Sequence, residues 1–337
     1  MTKPTLVNSL KRIVNKRGAE PLEKAKVDLC SGFSGDDSVS MALRYFAETT
    51  LSNALPVFPA LISLSCEAAG GRSDKIASIG ANILLMAGAA DIHDDVIDES
   101  PIKSSKRTVF GKYGKDVAIL AGDVLLTRGL LQLQKECESI PKEQRERILF
   151  LLAKSIFDIS RAEALETRMR ATDDLSPGPY LDIIDLKSVI PELNMKIGAI
   201  LGYGNADIVE TLGHFGRTFG IVSTVAEEFM DVLEHRELEN RIVNRCLPLP
   251  YLLALQNSSL RARISPSKKG PLSETRLDEI EREVLNSPEA DELMKKMSKL
   301  VRTEMQKLAD QVEKCKASEE LGVLLDSSLQ LLLSVKD

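Results

Sequence analysis

Apolar residues recur every three or four positions along nearly the whole chain, in runs longer than strands allow, and short alternating patterns are scarce. This spacing predicts an all-α protein, with helices at roughly 4–18, 37–51, 55–70, 74–98, 115–137, 142–171, 178–202, 206–236, 246–256, 276–287 and 288–334, the last one broken. Breaker-rich connections separate them: G-G-R-S-D at 70–74, P-I-K-S-S-K-R at 101–107, D-D-L-S-P-G-P at 173–179 and L-G-Y-G-N-A-D at 201–207. Residues 256–275 form a longer, polar and basic stretch that is expected to be a mobile loop. Nothing before it reads as a linker, so residues 1–337 are expected to fold as a single helical domain.

The periodicity is interrupted by charge where burial looks most complete. Residues 83–90, I-L-L-M-A-G-A-A, are wholly apolar or Gly, yet D-I-H-D-D-V-I-D-E-S at 91–100 carries six ionisable side chains. On a helix Asp94 and Asp98 project from one face, with Asp95 about 100° around. Adjacent carboxylates repel unless water or a cation screens them, and Mg²⁺ prefers such oxygens, completing its octahedron with waters and substrate phosphates. A generic D-D-x-x-D reads as readily as a solvated acidic helix end. Here the apolar run before it instead suggests a cavity with a charged mouth. A second cluster of the same spacing, Glu227, Glu228 and Asp231, closes another apolar run. Two such walls can clamp Mg²⁺ ions around one polyphosphate and make it a good leaving group.

Bulk composition narrows the partners. Apolar residues at 43% and charged residues at 28% describe a globular protein, and a formal net charge of −6 leaves no large basic surplus for nucleic acid. Five cysteines lie scattered without metal-ligand spacing, as suits a reducing compartment. The N-terminus has no sustained apolar core of a secretory signal, and no stretch approaches the ~20 apolar residues of a membrane span, so a cytoplasmic protein is expected.

Longer stretches then carry a resemblance: P-A-L-I-S-L-S-C-E-A-A-G-G (59–71), I-H-D-D-V-I-D-E-S (92–100), R-T-V-F-G-K-Y-G-K-D-V-A-I-L-A-G-D-V-L-L (107–126), Y-L-D-I-I-D-L-K-S (180–188) and L-P-L-P-Y-L-L-A-L (247–255). With these segments the chain resembles the trans-isoprenyl diphosphate synthases, also called polyprenyl synthetases. The resemblance implies a helical bundle of the isoprenoid synthase type around a deep apolar central cavity, paired as a homodimer or as a heteromer with another prenyl synthase. It also implies a reaction: Mg²⁺-assisted ionisation of an allylic prenyl diphosphate, attack by isopentenyl diphosphate, and loss of a proton.

Carried over by position, Asp94, Asp95 and Asp98 should hold Mg²⁺ against the allylic diphosphate, with Lys187 reaching the same group. Glu163 and Glu166 match a helix segment that faces the cavity, although a surface ion pair fits them equally. Glu227, Glu228 and Asp231 match the second metal motif. Ala89, five residues before Asp94, with Met86 and Ile83 deeper, should set the cavity floor. No aromatic stopper stands there, which implies a C20 or longer product.

The departures concern the isopentenyl diphosphate site. Where the family carries cations, residues 53–59 read N-A-L-P-V-F-P. The paired arginines after the first motif appear as K-S-S (103–105), and the later G-K is replaced by Asn244 and Arg245. Lys103, Lys106, Arg107, Arg44 and Arg245 are the cations available as substitutes. Three functions fit this pattern: a divergent active prenyltransferase, a catalytically impaired or regulatory subunit, and a terpene-cyclase-like lyase. The last would use Glu227, Asp231 and His235 as ligands, but it lacks the aromatic lining that stabilises carbocations, with no Trp and 4% aromatic residues.

Overall fold

The longest apolar runs become the innermost helices. In the computed structural model, which describes residues 3–72, 76–103, 106–172, 175–265 and 272–336, α3 (Val57–Ala68) and α9 (Val189–Leu201) are mostly buried, as are the first thirteen residues of α4 (Ala77–Ile97). Helices that are apolar on all sides can only sit inside a bundle. Around them stand α1 (Lys3–Gly32), α2 (Ser38–Thr49), α6 (Lys115–Glu136), α7 (Lys142–Thr172), α8 (Pro177–Lys187), α10 (Ala206–Leu233), α15 (Pro288–Gln311) and α16 (Lys316–Leu333). Short helices α5 (Val109–Tyr113), α11 (His235–Val243), α12 (Leu249–Ala254), α13 (Ser258–Ile264) and α14 (Glu274–Leu285) fill the connections. The expected all-α architecture is found, and the break expected in 288–334 falls between α15 and α16. Among the described residues, no single helix is long and apolar enough to cross a membrane.

Small residues set the closest approaches. A Cβ on Gly129 of α6 would lie 2.6 Å from the Met86 side chain on α4, and one on Gly198 of α9 would strike the Ile62 carbonyl of α3. Any larger residue at either position would push these pairs apart. Caps fix several starts: the Asp37 carboxylate accepts from the amides of Val39 (3.0 Å) and Ser40 (2.9 Å), and Asn205 accepts from Ile208 (2.9 Å). Arg17 ties α1 to α3 through Glu67 (2.5 Å) and to α16 through Glu320 (2.7 Å).

Four boundaries differ from expectation. The first helix does not stop at residue 18; it runs through Pro21 to Gly32, because Leu29 and Ala25 continue the buried stripe and the Pro21 ring packs near Gly80 of α4. The helix expected at 178–202 is two, since Pro191 has no N–H to offer the Lys187 carbonyl. The helix expected at 206–236 ends at Leu233, where Glu234 turns to extended backbone (ψ 95°) and α11 begins. The expected loop at 256–275 contains α13, capped by Asn257 and anchored by the buried Leu260 and Ile264; the mobility expected of it at 266–271 lies outside the described residues. The connection after α4 carries a small antiparallel pairing, β1 (Ile102–Lys103) with β2 (Lys106–Arg107).

Candidate active site

The C-terminal turn of α4 brings the first carboxylates onto α7 through Asp98 and into the field of Lys187 on α8. Asp98, at the helix C-cap, accepts a 2.5 Å hydrogen bond from Arg170 of α7. Asp95 is buried and lies 3.6 Å from the Lys103 ammonium, which also donates to Asp91 at 2.6 Å. Asp94 makes no hydrogen bond or ion pair among the described residues, and it shares the field of Asp98, Glu163, Lys187 and Lys103. Burial, reinforced by the Asp98 and Glu163 carboxylates, pushes its carboxyl up to about 7. Burial likewise raises Asp95, to about 6, although Lys103 opposes it.

Across from Asp94, Lys187 closes α8 and forms ion pairs with Glu166 (2.7 Å) and Glu163 (3.0 Å) of α7. Burial works against the ammonium charge, but the two carboxylates win and hold Lys187 above the usual lysine range. Burial works against ionised Glu166 as well, and Lys187 outweighs it, lowering that carboxyl. Glu163 Oε2 and Arg170 Nη2 are buried without a hydrogen-bond partner. Polar atoms in that state are costly unless something absent from the bare chain completes them.

The second cluster lies on the far side of α8. Glu228 is buried and accepts from the Tyr180 hydroxyl (2.8 Å), from the backbone amide of Leu249 (2.7 Å) and from Arg241 (3.1 Å). Arg241 also pairs with Asp231 and donates to the Tyr180 oxygen (2.8 Å) and the Cys246 carbonyl (2.6 Å). Among the described residues Glu227 has no such partner; burial, then Asp231 and Glu228, raise its carboxyl. Burial raises Asp231 too, against the pull of Arg241. The Cys246 thiol donates to Glu166 at 3.4 Å, so the chain Lys187–Glu166–Cys246–Arg241 joins the two clusters around α8.

The other expected residues separate into groups. Lys103 is engaged by Asp91 and Asp95, so it neutralises the first wall rather than standing free for a second diphosphate. Arg44 is turned onto the carbonyls of Phe33 and Gly35. Lys106 and Arg107 are exposed on β2, while Arg245 is exposed after α11 with left-handed backbone (φ 58°); Ser104 lies outside the described residues. His235, a ligand candidate for the lyase reading, faces α14 instead, where Glu274 (2.8 Å) and Glu281 (3.0 Å) hold it. The expected floor residues are all buried, but Ala89 packs into a cluster with Ala121 and Leu125, whereas Met86 and Ile83 join the main core. The open positions on the Asp94 face are Ala90 and, partly, Ala87.

The sequence reading missed Arg170 and Arg241. Arg170 has a local signal, since it stands four residues after Glu166 on one face of α7. Arg241 has none, because the turn at Glu234 is what folds α11 back over α10.

The residues of the first wall suit Mg²⁺: hard oxygen donors, one carboxylate with no direct ion pair among the described residues, and the orphaned Glu163 Oε2 near it. The second wall does not suit it in the same way, because Glu228 and Asp231 are already occupied by a guanidinium.

Residues 55–264 match the family model for polyprenyl synthetase. A geranylgeranyl diphosphate synthase from Sulfolobus acidocaldarius is 27% identical over 173 residues, 51% of this chain and 52% of that protein. The chain spans about half the length of the curated relatives it matches. The fold is that of a geranylgeranyl pyrophosphate synthetase from Pyrococcus horikoshii Ot3 (TM-score 0.82, 20% identity, 96% of this chain and 98% of that one). It is also that of a polyprenyl synthase from Caulobacter crescentus CB15 solved with calcium and isoprenyl diphosphate (TM-score 0.79, 20% identity, 95% and 97%).

Proposed function

The chain belongs to the polyprenyl synthetase family, and on that premise we propose that it is a trans-prenyltransferase that lengthens an allylic prenyl diphosphate with isopentenyl diphosphate to a C20 or longer product. The observation that carries this reading is the convergence of Asp94, Asp95 and Asp98 at the end of α4 with Glu163 and Arg170 of α7 and Lys187 of α8. The relatives' names, geranylgeranyl and geranylfarnesyl diphosphate synthases, support the product length.

In this reading Asp94 and Asp95 hold Mg²⁺, which when bound offsets charge on the departing diphosphate. Lys187, held in place by Glu163 and Glu166, presents its ammonium to the same diphosphate as a point charge. Arg170 fixes Asp98 at the end of α4. Apolar side chains beneath Asp94 shield the allylic tail from water, and Ala90 and Ala87 leave its path open.

A second reading, a catalytically impaired or regulatory subunit, is favoured by one observation: the segment before Pro59 offers the exposed Leu55 and the half-buried Phe58 where cations for isopentenyl diphosphate are expected. Exposed apolar side chains on α6 (Leu120, Leu131) and α7 (Phe150, Phe157) support a subunit interface, with a second copy or with another prenyl synthase. Five cysteines with no disulfide between them among the described residues support a reducing, cytoplasmic location.

The test is to incubate the protein with Mg²⁺, labelled isopentenyl diphosphate and allylic diphosphates of increasing length, alone and with the partner prenyl synthase of its host. Elongation by the chain alone supports the first reading. Elongation only in the mixture, or a changed product length there, supports the second. Diphosphate release from the allylic substrate alone, without elongation, would overturn both.

A further inference from the structure

The two acidic walls differ in what already neutralises them. Around Asp94 the cations sit on its neighbours: Lys103 on Asp91 and Asp95, Arg170 on Asp98, Lys187 on Glu163 and Glu166. Asp94 feels Lys187 and Lys103 only at a distance and forms no direct ion pair among the described residues. At the second wall one guanidinium meets the acidic group directly. Its Nη1 faces Glu228 and Asp231, its Nη2 faces both oxygens of Glu228 and the Tyr180 hydroxyl, and its Nε reaches the Cys246 carbonyl. Every nitrogen of Arg241 is therefore committed inside the protein. Both oxygens of Glu228 are committed as well, Oε1 to Tyr180 and Arg241, Oε2 to Arg241 and the Leu249 amide.

We infer that Arg241 is a built-in cation that takes the place of the metal at the second wall, so that of the two acidic walls only the Asp94 wall binds divalent ions. This inference rests on the proposed role of Asp94. A guanidinium is charged at any working pH and presents a fixed fork of donors that matches a carboxylate. A hard divalent ion that sought Glu228 would have to displace hydrogen bonds from three elements, α8, α11 and the start of α12. One that sought Asp231 would sit directly beside the bound guanidinium and be repelled by it. Glu227 alone keeps an uncommitted carboxylate there. The second wall thus contributes a permanent positive charge, set one layer behind the surface, where a metal-binding wall would contribute an exchangeable one.

The consequence is a lower metal stoichiometry, read without any turnover. The experiment is Mn²⁺ binding to the full chain in the presence of inorganic pyrophosphate, followed by calorimetry and by the Mn²⁺ spin-resonance signal, for the wild type and for Asp94→Asn, Asp231→Asn and Arg241→Gln. Asp94→Asn is expected to weaken Mn²⁺ by roughly tenfold or more, the loss of one charged ligand contact. Asp231→Asn is expected to change Mn²⁺ affinity by less than about twofold, since its carboxylate serves the guanidinium. Arg241→Gln, where it folds, is expected to gain a bound ion; Asp231→Asn decides the matter if it does not fold. An Asp231→Asn protein that loses Mn²⁺ as severely as Asp94→Asn overturns the inference, as does a folded Arg241→Gln with an unchanged ion count. Unaltered Mn²⁺ binding in Asp94→Asn would instead remove the first wall's proposed role, and this inference with it.

Discussion

Replacing Arg241 with Met should cost stability far beyond an ordinary ion pair. The substitution keeps a long apolar stem in place but deletes the guanidinium that Glu228 and Asp231 share. Glu228, whose side chain is 7% exposed, then keeps only the Tyr180 hydroxyl and the Leu249 amide as donors. Breaking a buried pair so that one charge is left uncompensated costs about 3–5 kcal/mol. That is a large part of the 5–15 kcal/mol that holds a typical domain together. Urea unfolding followed by circular dichroism reads this as a lower midpoint at unchanged slope. A control lies at Lys296 with Glu292, one turn apart and each 67% exposed; Lys296→Met should cost less than about 0.5 kcal/mol. Adding Glu228→Gln to Arg241→Met removes the stranded charge and should recover about 1–3 kcal/mol. Lowering the pH should narrow the gap between Arg241→Met and the wild type, because a stranded carboxylate is relieved by protonation. A cost under about 1 kcal/mol for Arg241→Met, comparable to an exposed pair, would refute the reasoning.

The Asp94 carboxyl, held up to about 7 in the fold, favours the folded state when protonated; that contribution is complete below about pH 4 and is lost as the pH rises through 7. The metal-free wild type should therefore lose stability relative to Asp94→Asn between those limits in thermal melts, and a flat difference would contradict the assignment. Lys187→Met should weaken binding of an unreactive allylic diphosphate analogue by roughly 10–100-fold in calorimetry, the worth of one charge-assisted contact. Ala89→Phe should destabilise the fold by about 1–3 kcal/mol through overpacking, since Ala89 is 1% exposed. Ala90→Phe, on the open face below Asp94, should instead shorten the product made by an active preparation; an unchanged chain length would remove Ala90 from the tail's path. Phe157→Asp, at a side chain 65% exposed, should lower the molar mass seen by light scattering if α7 lines a subunit interface.

Much of the site was legible as local pattern. The spacing of Asp94 and Asp98, of Glu227 and Asp231, and of Glu163 and Glu166 follows from helix geometry, and each pair is found on one helix. The all-α class followed from periodicity for the same reason. Boundaries were harder wherever a tertiary contact extended or stopped a helix, as at Pro21 in α1 and at Glu234 after α10. Ala89 packs in a cluster with Ala121 and Leu125 of α6 while its neighbour Ala90 remains exposed, because a rotation of about 100° per residue decides which of the two meets α6.

What the sequence alone determined, then, was which chemistry each helix carries: two carboxylate clusters, a lysine at the end of α8, and the absence of cations before Pro59. These are properties of residues within a few turns of each other. Only the tertiary structure decided which charges are spoken for. Arg241 comes to Asp231 and Glu228 from another helix after a turn, and Arg170 comes to Asp98 from 72 residues away. Lys103 folds back from β1 onto Asp91 and Asp95 of α4. Charge neutralisation in a low-dielectric interior depends on distances of a few ångströms, and such distances between remote segments are set by packing rather than by spacing along the chain.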